Sequence, residues 1–165
     1  MALIKSISGI RGTIGGKPGD GLTPPDIVRF TAAFGTWVTR QGIQNKRPVI
    51  ALGRDARISG EMVQNLVAGT LKGLGIDVIY MGLCTTPGVE MAVVDLKADA
   101  GIILTASHNP KQWNALKLLN RKGEFISAAD GAEVLRIADA GEFSFAEVNK
   151  LGRYTTEPNY HLKHI

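Results

Sequence analysis

Ala100-Gly101-Ile102-Ile103-Leu104-Thr105-Ala106-Ser107-His108-Asn109-Pro110 changes character in its middle. The first five residues form a short apolar run bounded by turn formers, which predicts a buried strand. Polarity flips at Thr105, and Pro110 has no N–H with which to continue a ladder. A hydroxyl, an imidazole and a carboxamide are therefore packed into a tight loop at the C-terminal end of a core strand. In open α/β sheets that is the edge where ligands bind. Taken alone, the same residues also suit an ordinary polar turn, so the neighbouring segments decide between the two readings.

The flanking segments predict an α/β domain. Val49-Ile50-Ala51-Leu52 and Gly75 to Gly82 read as further strands, with helices between them. Pro24-Pro25-Asp26 opens one helix behind Thr23, and Ile27, Phe30, Ala33, Phe34, Trp37 and Val38 give it one apolar stripe as far as Gln41. A second helix, Glu61 to about Leu74 and capped by Ser59, turns Met62, Leu66, Gly69, Leu71 and Leu74 inward. A third starts at Pro87, and a fourth follows Ser127. This alternation, with short glycine-bearing joints, predicts βαβ units and a three-layer α/β/α domain with a mixed, mostly parallel sheet. The step from Leu104 to the strand Ala115-Leu116-Lys117-Leu118-Leu119 is too short for a helical crossover, so that strand runs antiparallel to its neighbour.

Two other loops gather charge. Gly53-Arg54-Asp55-Ala56-Arg57-Ile58-Ser59-Gly60 also leaves a strand end and precedes a helix, which makes it a candidate anion site. The plainer alternative is an ion pair of Asp55 with one of its arginines. Ser8-Gly9-Ile10-Arg11-Gly12 sets a single guanidinium among glycines that allow close backbone approach. That arrangement suits a phosphate, or else a surface turn with a solvated arginine.

The chain has 165 residues, enough for one domain with a sizeable core. Its 44% hydrophobic and 21% charged residues are those of an ordinary globular protein. A net charge of +4 with only 6% aromatics lacks the dense basic patch and stacking rings of a nucleic-acid binder. No segment approaches membrane-spanning length or resembles a signal peptide. Cys84, the single cysteine, permits no internal disulfide and reads as a small packed hydrophobe, and the cytoplasm is the expected compartment. His161 and His164 share i, i+3 spacing that a metal could use, but tail histidines are usually just solvated.

If the three loops leave the sheet at one end, several cations surround the Ser107 hydroxyl, with Lys117 on the adjoining strand. Acyl transfer is a poor fit: the Gly-x-Ser-x-Gly elbow is absent, and His108, adjacent to Ser107, points away from it. Guanidinium and ammonium groups around a hydroxyl suit phosphoryl transfer better.

Thr105-Ala106-Ser107-His108-Asn109-Pro110, with Asn114 and Lys117 following, resembles the phosphoserine loop of the α-D-phosphohexomutases. The resemblance extends to the Arg11 and Arg54–Arg57 segments in the same order. It implies an enzyme that interconverts hexose 1- and 6-phosphates (glucose, mannose or glucosamine phosphate) through a bisphosphate. It implies Ser107 as phosphoryl carrier and, through that phosphate, a Mg²⁺ ligand, with a hexose bisphosphate as activator. Lys117 matches a general base or electrostatic partner; Arg11, His108 and Asn109 match positions that shape the site. Arg54, Arg57 and Asn114 are carried over as phosphate- or substrate-binding, with Arg57 open to a structural role. The family has four domains, and this chain resembles the first. Residues 1–153 are expected to be that domain and 154–165 the start of a linker or helix, the other domains supplying most Mg²⁺ ligands and acting as partners. The alternative is a phosphate-binding or scaffold module that kept the loops without the chemistry.

Overall fold

In the computed structural model the described residues are 1–6, 9–42 and 45–157. Elements follow in the order β1 (Leu3–Ser6), β2 (Gly9–Thr13), α1 (Pro24–Arg40), β3 (Val49–Arg54), α2 (Gly60–Gly73), β4 (Asp77–Leu83), α3 (Thr86–Asp95), β5 (Ala100–Leu104), β6 (Trp113–Leu119), α4 (Ala128–Ala140), a 3-10 turn at Val148–Lys150, and β7 (Tyr154–Thr156). The strands form one seven-stranded sheet in the order β1-β2-β6-β5-β3-β4-β7. β5, β3, β4 and β7 are mutually parallel. β6 runs antiparallel to both β5 and β2, and β1 antiparallel to β2. The fold is thus a mixed-sheet α/β/α domain. The antiparallel β6 follows from its connection, since residues 105–112 cannot hold a crossover helix.

Alternation along the strands builds two unequal cores. Ile50, Leu52, Ile102, Leu104, Leu116 and Leu118 face one way and pack with Phe30, Phe34, Val67, Leu71, Val134 and Ile137 of α1, α2 and α4. Ala51, Ile103 and Leu119 face the other way, against Val89 and Val93 of α3. The α1 stripe is as the periodicity predicts, with Phe34 and Trp37 stacked at 5.7 Å. The α2 stripe is rotated from the expected one. Val63, Val67 and Leu71 are its fully buried line, Met62, Leu66 and Leu74 flank it, and Gly69 faces solvent. Two apolar ridges lie side by side on that helix, and burial selects the one whose branched residues meet α1 and the sheet.

Two further segments differ from expectation. The glycines around Arg11 belong to a strand rather than a loop. Gly9 lies opposite Lys117, and a Cβ there would overlap the Leu116 carbonyl oxygen. The close approach that glycine permits is thus to β6. Tyr154–Thr156, expected to begin a linker, instead adds strand β7 beside β4. Tyr154 stacks on Tyr80 at 5.9 Å, and its hydroxyl accepts from Gln64 Nε2 at 2.9 Å. The remainder of the segment expected as a linker or helix, residues 158–165 with His161 and His164, lies outside the described residues, as does Ser8. Among the described residues no helix is long and apolar enough to cross a membrane.

Helix α3 lies on β5 and β3. Beyond it, the same sheet face carries Lys117, which is half-buried, and Arg11, which is exposed. The register makes them neighbours: Arg11 pairs with Ala115 and Gly9 with Lys117. Because Gly9 sets how closely β2 docks on β6, Gly9→Ala is expected to destabilise the domain by about 1–3 kcal/mol. Urea denaturation measures this, and an unchanged midpoint would contradict the tight docking.

Candidate functional site

The loops after β5 and β3 emerge at the same sheet edge, because the two strands are parallel and Arg54 is level with Leu104. Ser107 sits just past the end of β5. Ala106, Ser107, His108 and Asn109 line an open cavity of about 270 Å³ together with Arg11 and Lys117. At its floor the Lys117 ammonium donates to Ser107 Oγ at 3.0 Å. The Arg11 guanidinium lies over the Trp113 ring, 5.8 Å from its centroid, which anchors a charge that otherwise projects into solvent. Among the described residues the lining carries two cations, an exposed imidazole and a hydroxyl, and no carboxylate. A doubly charged phosphoryl group on Ser107 is the complement of that lining.

Ser107 holds a backbone conformation that L residues avoid, with φ of 50°. Such left-handed geometry costs a non-glycine residue roughly 1–2 kcal/mol, so surrounding contacts must hold it. Arg57 supplies most of them. Its Nη2 donates to the carbonyls of Ser107 and Asn109 at 2.8 Å each. Its Nη1 donates to the carbonyls of Pro110 at 2.8 Å and Trp113 at 3.1 Å. Its Nε donates to Asp55 Oδ2 at 3.2 Å. A guanidinium has five N–H groups, and all are engaged. Of the two roles left open for Arg57, these bonds match the structural one: its side chain holds the serine loop from beneath.

Asn114 is likewise engaged by the fold itself. It is fully buried; its Nδ2 donates to Ser59 Oγ at 2.9 Å and its Oδ1 accepts from Ala115 N at 2.8 Å. Ser59 stands at the N-cap position of α2, but its hydroxyl makes this bond rather than capping the helix. Asn114 ties β6 to the start of α2 and does not line the cavity. Nor does Arg54. Its Nε donates to the Tyr80 hydroxyl at 2.9 Å and its Nη1 to the Asp55 carbonyl at 3.1 Å, against Gly60. Of the sequence-derived residues, the fold gathers Ser107, His108, Asn109, Lys117 and Arg11. Arg54, Arg57 and Asn114 stand behind them.

Thr105 and Asp55 matter more than the sequence suggested. Asp55 pairs with Arg57, with Arg57 N also donating to Asp55 Oδ1 at 3.2 Å. The Thr105 hydroxyl donates to Asp55 Oδ2 at 2.6 Å and accepts from Ser107 N at 3.2 Å. The local signal was present, since Asp55 lies between two arginines and Thr105 opens the serine loop, but their pairing across two strands is not local. Cys84 is half-buried, and burial pushes its thiol up, as befits a packed side chain. Among the described residues no three His, Cys, Asp or Glu side chains come together as a metal site.

The fold and cavity define an α/β/α domain that presents a serine hydroxyl at a strand edge beside Lys117 and Arg11. A family model described as phosphoglucomutase/phosphomannomutase, alpha/beta/alpha domain I, matches residues 3–145. The chain belongs to that family. It is 35% identical over 148 residues to the phosphoglucomutase/phosphomannomutase of Thermococcus kodakarensis, covering 88% of this chain and 32% of that protein. It is 36% identical over 146 residues to the phosphoglucosamine mutase of Leuconostoc citreum, covering 87% and 32%. The crystal structure of a phosphoglucomutase/phosphomannomutase family protein from Burkholderia thailandensis shares the fold, with a TM-score of 0.79 at 24% identity over 97% of this chain and 34% of that one. The chain spans about a third of the length of the curated relatives it matches.

The left-handed Ser107 makes a stability prediction that does not depend on chemistry. Ser107→Gly and Ser107→Ala both remove the hydroxyl, but only glycine relaxes at positive φ. The glycine variant is expected to be the more stable by about 1 kcal/mol in chemical denaturation. Equal stabilities, or a more stable alanine variant, would show that Ser107 carries no such strain.

Proposed function

We propose that this chain is the phosphoserine-bearing first domain of a phosphohexomutase, moving a phosphoryl group between the 1- and 6-hydroxyls of a hexose monophosphate. The observation that carries this reading is the Lys117 Nζ to Ser107 Oγ contact of 3.0 Å within a cavity shared with Arg11. In the forward half-reaction the Ser107 O–P bond breaks as the bond from phosphorus to a sugar hydroxyl oxygen forms. Negative charge grows on Ser107 Oγ, where the Lys117 ammonium already donates, and the proton given up by the sugar ends on that oxygen. The bisphosphate turns over, and its other phosphoryl group returns to Ser107 with the proton moving the opposite way. Arg11 holds charge on the transferring or distal phosphate; His108 and Asn109 shape the mouth of the cavity.

Glucose, mannose and glucosamine phosphates are the candidate substrates, with a hexose bisphosphate as activator and the cytoplasm as compartment. Mg²⁺ would neutralise phosphoryl oxygens when bound. The lining suits a phosphate but offers the ion no carboxylate, so Ser107 through its phosphate is the ligand this chain supplies. Remaining ligands, and sugar recognition, fall to further domains, with the phosphoserine domain running past residue 153 to include β7 and the residues after Thr156 leading onward. The parallel with relatives about three times as long supports this reading.

The test is mutase turnover by the complete natural chain. Ser107→Ala is expected to abolish it, and Lys117→Met to lower kcat by about 10²–10³-fold with KM little changed. Wild-type turnover by Ser107→Ala would contradict the reading, whereas a complete unmutated chain without turnover would favour a binding or scaffold module.

A further inference from the structure

The bonds around Ser107 have a fixed direction. A threonine hydroxyl has a single proton, and Thr105 spends it on the Asp55 carboxylate at 2.6 Å. The oxygen is thereby left to accept, and what it accepts is the Ser107 N–H at 3.2 Å. Arg57 fixes the carboxylate in turn through its backbone N and its Nε. A path of defined polarity therefore runs from the β3 loop to the amide of the residue whose hydroxyl meets Lys117. Thr105 and Ala106 are almost fully buried, whereas Ser107 and His108 are exposed, so the chain surfaces at the serine.

We propose that Asp55 and Thr105 are positioning residues that lock Ser107 in its left-handed conformation, its N–H turned inward and its hydroxyl turned out to Lys117. The claim deepens the phosphoryl-carrier reading and rests on it. Without the Thr105 hydroxyl, Ser107 loses the partner that holds its amide inside. The loop then relaxes toward negative φ, which swings Oγ away from the Lys117 ammonium. Arg57 alone does not prevent this, since its bonds go to carbonyl oxygens and leave the peptide nitrogen of Ser107 unconstrained. Substrate recognition uses other groups, so the defect falls on kcat rather than on KM.

Thr105→Val is close to isosteric and removes only the hydroxyl; Thr105→Ser restores it. Both are to be made in the complete natural chain, and two quantities measured: steady-state mutase kinetics, and hydrogen exchange of the Ser107 amide. The expected result for Thr105→Val is a kcat lower by about 10²-fold with KM within threefold, as misplacement of a reacting group by about an ångström implies. Its Ser107 amide is expected to exchange at least tenfold faster, and Thr105→Ser to recover both properties. Wild-type kcat in Thr105→Val overturns the proposal, whether or not the amide has lost protection. Unchanged amide exchange in that variant overturns it equally. A wild-type chain without mutase activity, in which Thr105→Val still deprotects the amide and Thr105→Ser restores it, refutes the mutase reading while supporting the lock itself.

Discussion

The guanidinium of Arg57 bridges two strand ends that sequence keeps fifty residues apart, and the serine loop takes its shape from that bridge. Four carbonyl oxygens of residues 107–113 converge on one planar cation, whose remaining N–H meets Asp55. The connection from β5 to β6 has to reverse direction within residues 105–112 and still push a hydroxyl outward. Carbonyls drawn inward to a partly buried cation achieve both, because the side chains are then left to the outer surface. Lysine could not substitute, since an ammonium has three donors and no planar fork.

Sheet topology does the rest. β6, inserted between β2 and β5, puts Lys117 beside the exit of β5 and sets Arg11 diagonally across from it. Helix α3 covers β5 and β3 on that face and leaves the strip carrying the two cations open. The same parity that sends Ile103 and Leu119 into the α3 core sends Lys117 to the cavity. A register slip of one residue would exchange Lys117 for Leu116 or Leu118 and remove the site. Glycine at position 9 lets β2 sit close enough for this register.

The order of elements from α1 to α4, the α1 stripe, the antiparallel β6 and the pole shared by the two loops were legible in the sequence, because each follows from local periodicity or from a connection length. The cavity was legible in part. Ser107, His108, Asn109, Lys117 and Arg11 come together as the motifs suggested. Arg57 and Asn114 looked like ligands because charge and amide groups near a hydroxyl do so in one dimension. Apart from the Asp55–Arg57 pair, which the sequence offered as an alternative, their hydrogen bonds go to backbone and to Ser59, and most of these partners are supplied only by folding. The strand around Arg11 was hidden for a related reason. Glycines announce a close approach but not what approaches, and here it is the backbone of β6. β7 is three residues long, too short for an alternating pattern to stand out.

The central claim is that Ser107 carries the phosphoryl group, and its most direct test is a phosphosite map of the complete natural chain after incubation with a hexose 1,6-bisphosphate. The account predicts phosphate on Ser107, lost to hexose monophosphate when the bisphosphate is removed and the monophosphate added. A chain that turns over hexose monophosphate with Ser107 bare, and with phosphate on some other residue, would contradict it.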